Sequence, residues 1–172
     1  RKSLCVYGDS KVFIEEWFEK QRGAHLVLRT TGVYDYIPGS KNFLMQVLEN
    51  LSQKKIMRIP TDQLANPIWA VELAKATVEL LLKNSSGIFH VAGGEVLPRT
   101  EFAKKIARFF GLPEEHLQPV LTAEFNQKAK RPLKSGLTTT KLKSELGWAP
   151  AKPEACFEKI QKTYGVKYDS NC

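Results

Sequence analysis

AHLVLR, at residues 24–29, is an apolar run of strand length that follows a helical segment after a turn at Gly23. This order of elements is typical of an alternating α/β chain. A second buried strand, GIFHVAGG at residues 87–94, also runs into a glycine turn. Ligands bind beyond the carboxyl ends of strands in open α/β sheets. We therefore predict backbone contacts to a ligand at Thr30, Thr31 and Gly32, with a simple strand exit as the alternative.

The helix predicted upstream, over residues 4–21, carries Tyr7 and Lys11 four positions apart on one face. A tyrosine hydroxyl ionises near pH 10, so it exchanges protons poorly at neutral pH unless a cation stabilises its anion. Opposite charges about 4 Å apart interact by roughly 1 kcal/mol in water and about 4 kcal/mol at a surface-like dielectric, so Lys11 could be that cation. The same spacing also arises by chance on amphipathic helices. The apolar contacts of the helix are assigned to Val6, Phe13, Ile14, Trp17 and Phe18.

Further along the chain, apolar periodicity predicts more helices and strands, separated by turn residues. Helices are expected at residues 42–52, 69–83, 100–110, 140–146 and 153–164, and strands at 55–59 and 118–120. The segment PTDQLANP, residues 60–67, is predicted to be a loop, and residues 122–135 form a polar and basic segment. The final eight residues, 165–172, are expected to form a loose tail.

Composition is that of one soluble globular domain, with 172 residues, 42% hydrophobic and 26% charged. No segment approaches the roughly eighteen apolar residues of a membrane span, so no membrane partner is predicted. Cys5, Cys156 and Cys172 lack the spacing of a metal site or a disulfide framework. The first residues lack the apolar core of a signal peptide, which predicts a cytoplasmic location.

The net charge of +8 raises the question of a polyanionic partner. Basic residues are scattered, and no nucleic-acid recognition motif accompanies them. We therefore expect a solvated basic surface and no nucleic-acid partner. The local concentration of basic residues consists of Lys128, Lys130, Arg131, Lys134, Lys141 and Lys143.

Six blocks in succession, covering nearly the whole chain, resemble the second half of an extended short-chain dehydrogenase/reductase. They are YGDSK, LVLRTTGVY, PTDQLANP, GIFHVAGG, TEFAKKIARFFGL and RPLKSGL. The resemblance is closest to the branch that contains dTDP-4-dehydrorhamnose reductase and the regulatory beta subunit of methionine adenosyltransferase. It implies that Tyr7 is the general acid that protonates a carbonyl oxygen while NAD or NADP delivers a hydride, and that Lys11 holds the nicotinamide ribose and lowers the pKa of the tyrosine. Tyr7 and Lys11, with Thr30 and Gly32, form the predicted cofactor-binding set.

The resemblance also implies substrate contacts. Asn42 and Phe43 match the family's loop-to-helix transition beside a sugar nucleotide, Gln63 lies in the segment matching DQxxxP, and Arg131 matches an arginine-proline segment near the substrate diphosphate. Each residue has a plain alternative role, as a helix cap, a loop hydrogen bond or a solvated charge.

Two departures from the family pattern qualify this prediction. A family member begins with a strand and a glycine-rich turn that seats the cofactor pyrophosphate, and neither this segment nor the catalytic Ser or Thr is found in these residues. Where the rhamnose reductases tend to have a tryptophan, this chain has Gly32.

The predicted fold is α/β: the C-terminal part of a Rossmann-like doubly wound sheet with a smaller substrate-binding lobe, without the N-terminal glycine-rich half. Residues 1–35 are assigned to the tail of the dinucleotide-binding domain and 36–66 to the lobe. Residues 67–94 return to the dinucleotide-binding domain, and 95–172 complete the lobe.

The predicted function is that of a fragment of an NAD(P)-dependent oxidoreductase that reduces a keto group of a nucleotide sugar. One alternative is a non-catalytic regulatory subunit that binds a partner enzyme. Another is a nucleotide-sugar epimerase or dehydratase that uses the same Tyr and Lys. A homodimer is also among the expectations.

The 172 residues by themselves are expected to bind NAD(H) and NADP(H) poorly, because they contain no glycine-rich turn to seat the pyrophosphate at a helix N-terminus. Isothermal titration calorimetry with each cofactor measures this directly. A dissociation constant on the order of micromolar would contradict the interpretation of the chain as a fragment.

Overall fold

The computed structural model describes residues 3–125, 129–166 and 168. The helices are α1 (Val6–Lys20), α2 (Phe43–Ser52), α3 (Ala70–Leu82), α4 (Arg99–Phe109), α5 (Thr140–Leu146) and α6 (Pro153–Tyr164). The strands are β1 (Leu26–Arg29), β2 (Val33–Tyr34), β3 (Met57–Pro60), β4 (Leu64–Ala65), β5 (Ile68–Trp69), β6 (Gly87–His90), β7 (Leu97–Pro98) and β8 (Leu117–Val120). Short 3-10 turns occur at Glu114–His116 and Thr122–Phe125. Lys128 and Cys172 lie outside the described residues, as do five of the eight residues of the expected C-terminal tail.

The alternation of helices and parallel strands confirms the α/β prediction. β1 pairs in parallel with β6, with Leu26 opposite Gly87 and Arg29 opposite His90. Both strands therefore end at the same edge, where Thr30 and Val91 follow them. The hydrophobic cluster on this sheet consists of Ile68, Ala76, Leu80, Phe89, Val91 and Leu142.

A second cluster forms the lobe, in which α2, α4 and α6 pack with the parallel pair of β3 and β8. Its centre is aromatic, with the Phe157 ring 6.0 Å from Phe102 and 5.5 Å from Phe109 between centroids. The division of the chain into domains at residues 35, 66 and 94 stays a prediction. Within the stretch 95–172, α5 packs against α3 and β6, on the sheet side of the molecule.

Two pairs of two-residue strands connect the sheet to the lobe. β2 pairs in parallel with β5, and β4 pairs in antiparallel orientation with β7. The sequence predicted a loop at residues 60–67 and a helix from Trp69. The strands β4 and β5 were missed, because two residues are too few to show the alternation of apolar and polar residues that marks a strand. Each of these pairs is stabilised by contacts between segments distant in the chain.

Asn66 lies between β4 and β5 and forms hydrogen bonds with three segments that are distant in the chain. Its side chain, 2% exposed, donates to the carbonyl oxygens of Gly93 and Leu137, both at 3.0 Å, and accepts from the Leu137 N–H at 3.0 Å. Its own carbonyl oxygen accepts from the Thr31 hydroxyl at 2.7 Å and the Gly93 N–H at 3.1 Å. A Cβ atom at Gly93 would lie 1.9 Å from the Pro67 carbonyl oxygen, so only glycine fits at this crossing.

Helix α1 lies at the periphery and has no buried residue. Four of its five predicted apolar contact residues are at least 45% exposed, which corrects the expectation that they pack within this chain: Val6, Phe13, Ile14 and Trp17. The fifth, Phe18, stacks on His25 with ring centroids 5.7 Å apart. In the part of the chain that the structure describes, no helix combines the length and apolarity needed to cross a bilayer.

Asn66→Ala should lower the free energy of unfolding by about 2–4 kcal/mol, because it removes hydrogen bonds from the buried backbone of Gly93 and the partly buried backbone of Leu137. Asn66→Asp should be comparably destabilising, since a carboxylate keeps the acceptor but cannot donate to the two carbonyls. Urea unfolding measures both.

Asn50→Ala is the matched control, because among the described residues the Asn50 side-chain amide donates only to the Gln46 carbonyl oxygen, within α2. It should change stability by less than about 1 kcal/mol. Equal effects at the two positions would contradict the assignment of Asn66 as the connecting residue.

Candidate functional site

Tyr7 and Lys11 lie on one face of α1, as the spacing predicted. The Lys11 ammonium nitrogen is 5.1 Å from the centroid of the Tyr7 ring, which is a cation–π contact. The Tyr7 side chain is 73% exposed. The hydroxyl is therefore open to a ligand that approaches α1 from outside.

The Glu15 carboxylate, two helical turns beyond Tyr7 on the same face, attaches α1 to the sheet. It accepts two hydrogen bonds from the Arg29 guanidinium, at 2.8 Å from Nε and 2.5 Å from Nη2. The hydrogen bond from Glu15 raises the pKa of Arg29 above its usual value. Because Arg29 is the last residue of β1, this two-pronged pair connects α1 to the carboxyl end of the parallel sheet.

The three residues that follow β1 differ in their exposure and in their hydrogen bonds. Thr30 is exposed. The Thr31 hydroxyl donates a hydrogen bond to the Asn66 carbonyl oxygen. Gly32 has φ of +32° and its carbonyl oxygen accepts from the Ile68 N–H at 3.3 Å. The Thr30 side chain is thus accessible to a ligand at the sheet edge, whereas the hydrogen bonds of Thr31 and Gly32 fix the backbone that follows β1.

Asn42 is the N-cap of α2. Its Oδ1 accepts from the Met45 N–H at 3.3 Å, and its Nδ2 donates to the Asp35 carbonyl oxygen at 2.8 Å and to Ser40 Oγ at 3.1 Å. All of these contacts are internal to the protein. The geometry favours the capping role over a direct substrate contact.

Phe43, the first residue of α2, forms an aromatic platform beneath Arg99. The ring stacks on Phe102 with centroids 5.7 Å apart, and the Arg99 guanidinium carbon lies 4.3 Å from the Phe43 centroid. Burial lowers the pKa of Arg99, and the positive charge of Arg131 lowers it further.

Gln63 joins Arg99 through the backbone, because its carbonyl oxygen accepts from the Arg99 N–H at 2.9 Å. Its side-chain amide donates to Thr122 Oγ1 at 3.1 Å. The segment that follows Arg131 runs beside β4, since the Leu64 N–H donates to the Leu133 carbonyl oxygen at 2.7 Å. These contacts bring Arg131 to the same side of the lobe as Arg99.

Of the residues predicted from sequence, Phe43, Gln63 and Arg131 lie together around Arg99. Among the described residues, no hydrogen bond, ion pair or ring contact joins this group to Tyr7 or Lys11. Arg99 itself was missed by sequence reasoning. The available signal was weak: an arginine in the first turn of a helix, where the helix dipole favours acidic residues.

A family model for the RmlD substrate binding domain matches residues 2–164. The chain belongs to this family. The match confirms the resemblance to the reductase branch of the extended short-chain dehydrogenases.

Relatives of this RmlD substrate binding domain include two curated bacterial proteins. The spore coat polysaccharide biosynthesis protein SpsK of Bacillus subtilis is 32% identical over 133 residues, which cover 77% of this chain and 46% of SpsK. The dTDP-4-dehydrorhamnose reductase of Aggregatibacter actinomycetemcomitans is 24% identical over 169 residues, covering 92% of this chain and 57% of that protein. The chain thus spans about half the length of the curated relatives it matches.

A crystal structure of dTDP-4-dehydrorhamnose reductase from Bacillus anthracis in complex with NADP superposes with a TM-score of 0.86. The sequence identity is 22%, and the superposition covers 94% of this chain and 57% of that one. At this level of identity the superposition shows a shared fold.

Asn42→Ala should lower the free energy of unfolding by about 1–2 kcal/mol, because it removes the cap of α2. Asn42→Ser restores an oxygen that can accept from the helix N–H groups and should recover part of the loss. Denaturant unfolding of the two variants provides the comparison. Equal stability of wild type and Asn42→Ala would instead favour a ligand-binding role for this side chain.

Proposed function

We propose that the chain is the substrate-binding portion of an NAD(P)-dependent reductase that acts on a keto group of a nucleotide sugar, as dTDP-4-dehydrorhamnose reductases do. The observation that carries the proposal is the attachment of the Tyr7–Lys11 helix to the carboxyl end of β1 by Glu15 and Arg29. That edge of a parallel sheet is where α/β proteins bind their ligands. The family match to the RmlD substrate binding domain supports the same conclusion.

Tyr7 is proposed as the general acid. Its exposed hydroxyl donates a proton to the carbonyl oxygen of the substrate as negative charge develops there. The Lys11 ammonium, on the same face, stabilises the tyrosinate that remains. Lys11 must move from the ring face towards the hydroxyl for this role, which its exposed and flexible side chain permits.

The residues present fit the nicotinamide end of a dinucleotide. Tyr7, Lys11 and Thr30 are exposed, and the backbone at Gly32 carries no side chain that would block approach to the sheet edge. NAD or NADP supplies the hydride when bound. In this proposal Lys11 holds the nicotinamide ribose, while Thr30 and Gly32 contact the cofactor from the strand exit.

The nucleotide sugar is proposed to bind across the lobe. Phe43 and Gln63 line the group around Arg99, and Arg131 is assigned to the substrate diphosphate. Asn42 supports this region by holding the start of α2. A planar guanidinium suits this task because it can contact two phosphate oxygens at once.

The cysteines and helix α1 support proposals for the location and the assembly of the protein. We place the protein in a reducing compartment, the cytoplasm, because Cys5 and Cys156 have no disulfide partner among the described residues. The exposed apolar side chains of α1 support a homodimer, and analytical ultracentrifugation of the longer protein tests it.

Tyr7→Phe in the longer protein should lower kcat by about 10²- to 10⁴-fold, because a general acid is lost. NADPH binding should change by less than about twofold, since little contact area is removed. Steady-state kinetics with a 4-keto sugar nucleotide and NADPH titration measure the two effects. Tyr164→Phe is the matched control, because Tyr164 is a partly exposed tyrosine on α6, packed against Tyr36, outside the proposed site.

The outcome separates the three functional hypotheses. No turnover by the wild-type protein, together with binding of a partner enzyme, would establish the regulatory subunit. Turnover without net oxidation of NADPH, with an epimerised or dehydrated product, would establish the epimerase or dehydratase. Wild-type turnover by Tyr7→Phe would remove Tyr7 from the chemistry.

A further inference from the structure

We propose that Arg99 is a second ligand-binding arginine, which together with Arg131 grips the diphosphate of a nucleotide ligand above the ring of Phe43. The inference rests on the proposed function for the identity of the ligand, a nucleoside diphosphate group. It rests on the structure for the two residues that hold it. The motif blocks assigned a substrate role to Arg131 and none to Arg99.

The first observation is the lack of an acidic partner for Arg99. Three other arginines are each paired with a carboxylate: Arg29 with Glu15, Arg58 with Glu124 and Arg108 with Glu114. Arg99 is partly withdrawn from water, yet within the described residues no carboxylate lies within ion-pair distance of it. A charge in such a position is costly unless an anion compensates it.

The second observation is the neighbouring charge. The segment that follows Arg131 pairs with Leu64 through the Leu133 carbonyl oxygen, and the adjacent Gln63 carbonyl oxygen accepts from the Arg99 N–H, so both arginines lie on one side of the lobe. The positive charge of Arg131 also lowers the pKa of Arg99. Two cations held together without a counter-ion destabilise each other. A diphosphate carries two adjacent negative groups and would neutralise both arginines at once.

The third observation is the rigid support of Arg99. The guanidinium lies over Phe43, which itself stacks on the buried Phe102. The Arg99 backbone is held by the Gln63 carbonyl oxygen. Stacking on an aromatic face leaves the N–H donors in the guanidinium plane free to bind phosphate oxygens, so Arg99 is pre-organised for an anion.

The test measures binding of dTDP, inorganic pyrophosphate, NADP and thymidine by isothermal titration calorimetry, with the 172-residue chain and with the longer protein. Binding of dTDP and pyrophosphate without binding of thymidine identifies the diphosphate as the recognised group. Tighter binding of NADP than of dTDP by the 172-residue chain would assign the arginines to the cofactor and overturn the inference.

Arg99→Gln and Arg131→Gln should each weaken dTDP binding by about tenfold to a hundredfold, because each removes a charge-assisted hydrogen-bonding group. Arg131→Lys should also weaken it, since an ammonium cannot reproduce the two-pronged geometry. The double variant should lose less than the product of the single effects if both arginines bind one diphosphate. Arg108→Gln is the control, because Arg108 is an exposed arginine paired with Glu114 on the same helix, α4.

Urea unfolding of the ligand-free variants distinguishes a ligand-binding role from a structural one. Removal of an unpaired charge in Arg99→Gln should leave stability unchanged or raise it, whereas loss of a structural contact to Phe43 would lower it. Unchanged dTDP affinity in Arg99→Gln, or no dTDP binding by either form of the wild-type protein, would overturn the inference. Loss of dTDP binding in Arg99→Gln supports it even where the longer protein reduces no keto sugar, so the two proposals fail separately.

Discussion

The hydrogen bonds of Asn66 hold together the segments that leave the carboxyl ends of β1 and β6. Through this single buried amide, the exit of β6 and the segment before α5 are joined at the loop that leads into β5. The Asn66 carbonyl oxygen adds the exit of β1 through Thr31. Buried amides are costly when unpaired and strongly orienting when every donor and acceptor is satisfied. The close approach of Gly93 to Pro67 depends on the same junction, so the positions of both strand ends follow from it.

The basic side chains differ in whether a carboxylate compensates their charge. Most basic side chains in the described part of the chain either pair with carboxylates or lie in solvent. Lys105, for example, contacts both Glu95 and Glu154 and so links α4 to the glycine turn and to α6. Arg99 and Arg131 depart from this arrangement, because both lie on one side of the lobe and no carboxylate of the described residues pairs with Arg99. The net charge of +8 is therefore less informative than the location of these two guanidiniums.

The two groups of site residues belong to different elements of the fold. Tyr7 and Lys11 are presented by a peripheral helix whose attachment to the sheet includes one two-pronged ion pair. The arginines are presented by the lobe, whose aromatic core is fully packed. In the proposed function, the reacting sugar lies at the sheet edge and the nucleotide lies at the lobe.

Local periodicity and spacing are enough to predict the α/β class, the positions of the six helices in the described residues to within a few residues, and the shared face of Tyr7 and Lys11. The capping role of Asn42 was also open to prediction, since asparagine before an apolar helix is a common cap. Contacts between distant segments place Asn66 between the exit of β6 and the segment before α5, pair β4 with β7, and set Arg99 above Phe43. These features join segments far apart in the chain, and their stability comes from packing and buried hydrogen bonds that leave no repeat in the local sequence.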